Sequence, residues 1–186
     1  MEATTYLVLL RGINVGGKNK LPMKDLVDMF GAAGCRRVRS YIQSGNVVFE
    51  ASPDLAASLP GVISGEIAAK FGFRVPVITR TVEQVRGVLL GNPYLATGAA
   101  EDTLHVFFLA DPPGPDRVAT LEPDRSPPDE FAVRGSEVFA RLPEGMARTK
   151  LTNAYFDARL ATISTARNWR TVAKLLELME APPGPG

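Results

Sequence analysis

The sequence predicts an α+β fold of two ferredoxin-like (βαββαβ) subdomains, pseudo-duplicated, with an extra C-terminal helix. Three observations predict it. The first half alternates strand-like and helix-like segments in the order β-α-β-β-α-β, and the second half repeats the order β-α-β-β-α. A connection rich in glycine, alanine and proline separates them at residues 91–102. We therefore expect subdomains over residues 1–96 and 97–186, and because the halves share no visible sequence identity, the duplication is a topological inference.

The apolar pattern sets the elements of the first half. A continuous apolar run over residues 6–10 indicates a buried strand. Pro22 begins a helix in the first-turn position that proline favours, whereas Pro60 is expected to break a later helix from an earlier turn. Ser44-Gly45 joins two strand-like runs into a hairpin. In chain order we expect strand 6–10, a helix from 22 to 33, strands 38–43 and 46–50, a helix through 63–71, strand 74–80 and helix 82–90.

The second half is interpreted in the same way. Gly135-Ser136 separates two strand-like runs, and a short strand is expected near Ile163. The other elements predicted here are strand 104–110, a short helix at 115–121, strands 131–134 and 138–142, and helices 151–160 and 168–179.

Composition excludes several classes of protein. A net charge of +1 argues against a general polyanion binder. No apolar run approaches the roughly 18 residues of a membrane span, and residues 1–5 lack the basic start of a signal peptide. Cys35, the one cysteine, cannot form an internal disulfide, which fits a reducing compartment. We expect no membrane association, a cytoplasmic location and a disordered tail at residues 182–186.

The first loop, residues 11–20, resembles a phosphate-binding loop in outline. Residues 12–18 match G-x-x-x-x-G-K after a strand, but Asn19 stands where a P-loop has Ser or Thr. Pro22 argues more strongly against a P-loop. The helix of a P-loop starts at the Gly-Lys pair, and a proline four residues after the lysine would break that helix. We reject a P-loop and retain two alternatives: a backbone anion-binding concavity, and glycines that serve only a tight crossover.

Other polar segments also sit at the ends of elements. Two of them, residues 146–153 and 165–170, place cations where helices are expected to start, which opposes the helix dipole unless an anion or water compensates. The hairpin around Ser44 adds amides and a hydroxyl that either orient a ligand or close the turn. Trp169 fits core packing, with stacking on a base or sugar as the alternative. The candidate ligand-binding residues are Arg11, Asn14, Gly16, Gly17, Lys18, Gln43, Ser44, Asn46, Arg148, Lys150, Asn153, Arg167, Asn168 and Trp169.

The sequence contains few candidate catalytic or metal-binding residues. His105 is the only histidine and lies within a predicted strand, so a structural role is favoured over a general base. No acidic cluster has the spacing of metal ligands, and no cofactor motif is recognised. We expect no metal site, assign no catalytic residue, and identify no cofactor.

Four of these segments resemble one known family. Residues 9–20, 41–49, 150–153 and 165–172 are similar to an uncharacterised bacterial family catalogued as domain of unknown function 1697, and the resemblance extends from Tyr6 to Leu178. It implies two ferredoxin-like halves and brings no established activity.

Three functions remain open at this stage. The leading hypothesis is a protein that binds a small anionic or phosphorylated metabolite in a cleft formed by polar loops of both halves, and that is an enzyme or a pure binding protein. An RNA-binding module is the first alternative, disfavoured because residues 46–49 offer one aromatic and the net charge is near zero. A protein-interaction domain that uses the sheet faces or residues 82–95 is the second. Sequence does not specify the oligomeric state.

Overall fold

The computed structural model describes residues 3–182. Over this range the chain has a mixed α+β fold with two four-stranded antiparallel sheets and six α-helices. It divides into two compact units. The first unit comprises the residues up to Arg86 together with those from Lys174 onward, and the second unit comprises Gly87–Ala173. Of the predicted disordered tail, only Pro182 lies within the described residues.

The first unit contains the first sheet. Its elements are β1 (Thr4–Leu10), α1 (Met23–Ala32), β2 (Arg36–Tyr41), β3 (Asn46–Ala51), α2 (Pro53–Phe71), β4 (Val77–Thr81) and the start of α3 (Val82–Gly91). The strands lie in the order β2-β3-β1-β4, and every neighbouring pair is antiparallel.

The core of this unit lies between one face of the sheet and helices α1 and α2. Tyr6 and Phe49 stack with ring centroids 5.9 Å apart, and Phe30 from α1 lies 5.1 Å from Phe49. Leu7 and Leu9 point to the opposite face and are also fully buried. Both faces of β1 are therefore covered, as its continuous apolar run predicts.

The second unit contains the second sheet. After two 3₁₀ turns (Leu95–Thr97 and Glu101–Thr103), its elements are β5 (Leu104–Leu109), α4 (Pro115–Val118), β6 (Glu130–Arg134), β7 (Glu137–Arg141), α5 (Asn153–Leu160), β8 (Ser164–Asn168) and the start of α6 (Trp169–Glu180). The strand order is β6-β7-β5-β8, which is again second, third, first and fourth in chain order. Its core centres on Phe156 of α5, with Phe107 at 4.8 Å and Phe131 at 5.8 Å between ring centroids.

The structure corrects the expectation for Pro60. Helix α2 runs unbroken from Pro53 to Phe71 with Pro60 inside it. The helix begins earlier than expected because the Ser52 hydroxyl accepts a hydrogen bond from the Leu55 amide, 3.3 Å away, and Pro53 occupies the first turn. Leu59 and Ile63 are buried on either side of Pro60, so packing holds the helix together where a backbone hydrogen bond is lost.

Arg167 precedes the last helix, as the sequence predicts, because α6 starts at Trp169. The residue itself lies within β8, opposite Val106 of β5. Between residues 3 and 182, none of the helices combines the length and apolar character needed to cross a membrane.

Candidate functional site

The loop after β1 contains a miniature hairpin, residues 14–19, which we call the finger. The Asn14 amide donates to the Asn19 carbonyl oxygen at 3.1 Å, and the Lys18 amide donates to the Val15 carbonyl oxygen at 3.0 Å. Gly16 and Gly17 form the turn with φ values of 57° and 75°, and positive φ at both central residues is what a type I′ turn requires. Helix α1 begins only after Pro22, so the finger is not a P-loop.

Asn14 holds the finger in place with its side chain. Its Nδ2 donates to the Leu21 carbonyl oxygen at 2.9 Å and to the Gln43 carbonyl oxygen at 3.1 Å, while its Oδ1 accepts from the Leu21 amide at 2.8 Å. A side-chain amide has two N–H protons, and both are used here. Asn14 is therefore a positioning residue that ties the finger to the turn after β2. Asn19 adds a bond from Nδ2 to the Gly12 carbonyl oxygen at 2.9 Å.

The turn between β2 and β3, residues 41–45, is equally constrained. Asn46 is fully buried, and its Nδ2 donates to the Tyr41 carbonyl oxygen at 3.1 Å and to the Ser44 hydroxyl at 2.9 Å. The carbonyl oxygen of Gly45 accepts from the Leu10 amide at 2.8 Å, which fixes the turn against the end of β1. Asn46 thus closes the turn, one of the two roles that its position in the sequence allowed.

Together the finger and the 41–45 turn form one exposed edge of the first unit, which we call the loop edge. Lys18 and Gln43 are exposed, and between residues 3 and 182 their side chains contact no hydrogen-bonding partner. In the same range, the amides of Gly16 and Gly17 donate to no protein atom. Neither residues 11–20 nor residues 41–46 include an Asp or Glu. The loop edge therefore offers hydrogen-bond donors and positive charge.

Two apolar residues of the loop edge are not among the candidates predicted from the sequence. The side chains of Val15 and Ile42 are exposed, at 66% and 50%. Ile42 also has a φ of 49°, which costs a β-branched residue roughly 1–2 kcal/mol. No sequence pattern reveals this conformation, because isoleucine in a strand-like run normally indicates extended backbone.

In the second unit, three candidates lie around the start of α5. Arg148 is exposed and lies 3.8 Å from a carboxylate oxygen of Glu144. The Lys150 side chain is also exposed, while its backbone amide donates to the buried Ser126 hydroxyl at 3.0 Å. Asn153 accepts a hydrogen bond from the Ser164 hydroxyl at 3.1 Å, which links α5 to β8. Arg148 and Lys150 precede α5, whose first turn is capped by the Thr152 hydroxyl.

The three candidates at the junction of β8 and α6 have structural contacts. Arg167 is buried, donates to the Thr165 hydroxyl at 2.9 Å and to the Ala166 carbonyl oxygen at 2.8 Å, and has its pKa lowered to about 10 by burial. Asn168 accepts from the Thr171 amide at 2.8 Å and caps α6. Trp169 is only 4% exposed, in agreement with core packing rather than ligand stacking.

The fourteen candidates therefore fall into two sets. Eight lie on or beside the loop edge of the first unit, namely Arg11, Asn14, Gly16, Gly17, Lys18, Gln43, Ser44 and Asn46. The other six lie in the second unit: Arg148, Lys150, Asn153, Arg167, Asn168 and Trp169. That both sets contribute to one cleft stays a prediction.

Two further grooves contain none of these fourteen residues. One, of about 400 Å³, lies between α1 and α2 and has an acidic rim that includes Asp25, Asp28 and Glu66. The other, of about 340 Å³, lies beside the Glu130–Arg141 ion pair of the second sheet. Lys70 also lines the first groove, but the three carboxylates outnumber it and disfavour an anion, so this groove does not compete with the loop edge for that role.

The one cysteine and the one histidine of the sequence are both buried. Burial raises the pKa of the Cys35 thiol to about 11, so the thiolate is scarce near neutral pH. Burial lowers the pKa of His105, whose Nδ1 lies 3.4 Å from the Thr103 carbonyl oxygen. Among residues 3–182, no group of three or more His, Cys, Asp or Glu side chains is arranged to hold a metal ion.

Comparisons with known proteins agree with this fold. A family model described as "Protein of unknown function (DUF1697)" matches residues 3–139, a range that includes the loop edge and ends before Arg148. The structure of the conserved bacterial protein SP0830 from Streptococcus pneumoniae matches with a TM-score of 0.73 and 25% identity, over 96% of this chain and 100% of that one. A search among curated proteins found no match.

Proposed function

This chain belongs to the family described as Protein of unknown function (DUF1697), and we propose that it binds a small anionic or phosphorylated metabolite at the loop edge. The observation that carries the proposal is the bond from Asn14 to the Gln43 carbonyl oxygen. It fixes a cationic, glycine-containing finger beside a second polar turn. A preorganised pair of loops pays less entropy on binding than two independent ones.

The chemistry of the loop edge suits an anion. Backbone amides at residues with positive φ form concavities that bind phosphate and carboxylate groups, and the amides of Gly16 and Gly17 donate to no protein atom within residues 3–182. Lys18 supplies a point charge, and Gln43 an uncharged donor. The absence of Asp and Glu from both loops removes the repulsion that a carboxylate would exert.

We also propose a more specific description of the fold. The common strand order in both sheets supports two ferredoxin-like subdomains that arose by duplication, with α6 as the added helix. The subdomain boundary at residues 96 and 97, and the contribution of Arg148 and Lys150 to the same site, stay predictions. If an Arg148→Gln/Lys150→Gln double variant binds the ligand as tightly as the unaltered protein, these two residues do not contribute to the site.

A thermal-shift screen with nucleotides, sugar phosphates and organic acids tests the proposal. A ligand present at 100 times its dissociation constant should stabilise the folded state by about 2.7 kcal/mol. Lys18→Gln should weaken the binding of any hit. The matched control is Lys24→Gln, since Lys24 is an exposed lysine of α1 paired with Asp28. If no compound raises the unfolding temperature, or both variants respond alike, the loop edge is not the binding site.

The structure does not favour the RNA-binding alternative for the first unit. Base stacking on a ferredoxin-like sheet requires exposed aromatic side chains on its strands. Phe49 and Tyr6 pack in the core, and Leu7, Leu9 and Val48 on the other face are at most 1% exposed. Unchanged migration of a mixed RNA pool with this protein at low salt would agree with that.

One observation favours the protein-interaction alternative. Leu90 at the end of α3 is 83% exposed, and Leu95 in the next turn is 38% exposed, both within the segment named for this role. This function requires no stabilisation by small molecules. Replacement of Leu90 by Lys should therefore abolish association with a protein partner and leave any response to anionic ligands intact.

A further inference from the structure

The backbone of Ile42 has a conformation that the stability of the fold does not explain. Its φ of 49° lies in the left-handed region, which isoleucine rarely adopts, and its side chain is half exposed. Glycine or asparagine would occupy this position with less strain and would expose less apolar surface. Residues whose backbone strain is not offset by burial of their side chains concentrate at binding sites.

Val15 is a second exposed apolar residue of the loop edge. It follows Asn14 in the chain, and Ile42 precedes Gln43, so the two residues flank the hydrogen bond from Asn14 Nδ2 to the Gln43 carbonyl oxygen. Val15 also forms the 3.0 Å turn bond with Lys18. An exposed apolar side chain, Val15, and the cationic turn therefore share the finger, and Ile42 lies on the 41–45 turn to which Asn14 ties the finger.

We propose that the ligand of the loop edge is a phosphate monoester that carries an apolar, aromatic or aliphatic, group. The phosphate binds the amides of Gly16 and Gly17 and the ammonium of Lys18, and the apolar group packs on Val15 and Ile42. This inference rests on the proposed function and narrows it. Polar metabolites such as sugar phosphates would leave the two apolar side chains in water, whereas an aryl or alkyl ester covers them.

Calorimetric titration of the full chain with inorganic phosphate and with phenyl phosphate tests this. We expect phenyl phosphate to bind about 10-fold more tightly, because it removes additional apolar surface from water. If inorganic phosphate binds and phenyl phosphate shows no gain, this inference fails and the proposed function stands. If neither probe nor any compound of the screen binds, both fail.

Ile42→Asn is the decisive variant, because asparagine tolerates positive φ and the fold should be retained or stabilised. It should remove the preference for phenyl phosphate and change the dissociation constant of inorganic phosphate by less than about twofold. Ile163→Asn is the matched control, since Ile163 is an isoleucine with 44% exposure in the second unit. An unchanged preference in Ile42→Asn, or an equal loss in Ile163→Asn, overturns the proposal.

A membrane lipid presents the same chemistry, a phosphate with an attached apolar group. Co-sedimentation with phosphatidic acid vesicles distinguishes a membrane lipid from a soluble phosphate ester. Binding of soluble phenyl phosphate with no retention on vesicles supports a small-molecule ligand. Retention on vesicles with no affinity for phenyl phosphate overturns the proposal.

Discussion

The side-chain Nδ2 of Asn14 donates a hydrogen bond to the backbone carbonyl oxygen of Gln43 over 3.1 Å, and joins two loops that lie 29 residues apart in the chain. The same side chain pairs with both backbone groups of Leu21, as a neighbouring strand would. A single amide thus satisfies three backbone groups that no sheet or helix serves. The position of the finger relative to the 41–45 turn therefore depends on this residue.

We expect Asn14→Ala to destabilise the protein by roughly 1–3 kcal/mol, because it leaves partly buried backbone groups without partners and places alanine at a φ of 54°. Denaturant unfolding followed by circular dichroism measures the change. Asn14→Asp is informative beside it, since the carboxylate keeps the acceptor for the Leu21 amide and loses both donors. Lys18→Ala on the same finger is the control and should change stability by less than about 0.5 kcal/mol. An Asn14→Ala variant as stable as this control would contradict the positioning role.

Gly45 has a steric requirement that most glycines of the chain do not have. Its φ is +79°, and an added Cβ would lie 2.7 Å from the Cβ of Leu10 and 3.0 Å from the Cδ1 of Ile13. We expect Gly45→Ala to cost roughly 2–4 kcal/mol, the sum of backbone strain and overpacking in a buried region.

Gly17→Ala separates these two contributions. Gly17 has a similar φ of +75°, but its added Cβ would meet nothing within 4 Å. Its cost should therefore be the strain alone, about 1–2 kcal/mol. Equal unfolding free energies for the two variants would show that the close approach of Leu10 and Ile13 to Gly45 has no energetic consequence.

The elements of the fold were accessible from sequence because each has a strong local signal. The apolar run at residues 6–10, the hairpin at Ser44-Gly45 and the helical spacing of α1 all predicted the observed elements. The continuity of α2 was not accessible, because a proline signals a helix break locally, while the burial of Leu59 and Ile63 that overrides it depends on the assembled core.

Pro60 gives a direct test of that balance. Replacing Pro60 with Ala restores a backbone donor in the middle of α2 and should raise the unfolding free energy by about 1–3 kcal/mol. Pro53→Ala is the control, because a proline at the start of a helix loses no hydrogen bond and its replacement should not stabilise. A Pro60→Ala variant less stable than the unaltered protein would show that the pyrrolidine ring contributes packing that outweighs the lost bond.

Individual residues of the candidate site were harder to interpret than the elements that carry them. Polarity at an element end predicted Asn14, Asn46 and Asn168 equally well as ligand donors and as caps, and only the contacts separate these roles. Exposure of Val15 and the left-handed backbone of Ile42 leave no trace in residue type. The sequence shows which side chains can donate hydrogen bonds. Only the structure shows which of these donors already bond to other groups of the protein.

His105 should make stability depend on pH in a defined window. Burial lowers its pKa in the folded state below the unperturbed value of about 6.5. Above that value the histidine is neutral in both states and contributes nothing to the pH dependence. As the pH falls below about 6.5, the unfolded chain binds a proton that the folded chain does not, so the free energy of unfolding decreases until the folded-state pKa is reached.

The measurement is a pair of denaturant titrations at pH 7.5 and pH 5.5. His105 can account for a loss of at most about 1.4 kcal/mol between these values, since the unfolded-state pKa lies one unit above the lower pH. His105→Gln cannot bind the proton and should lose less stability over the same interval, whatever its stability at pH 7.5. Carboxylates titrate mainly below this interval and affect both proteins alike. If the two proteins lose equal stability, the buried strand position of His105 does not oppose its protonation.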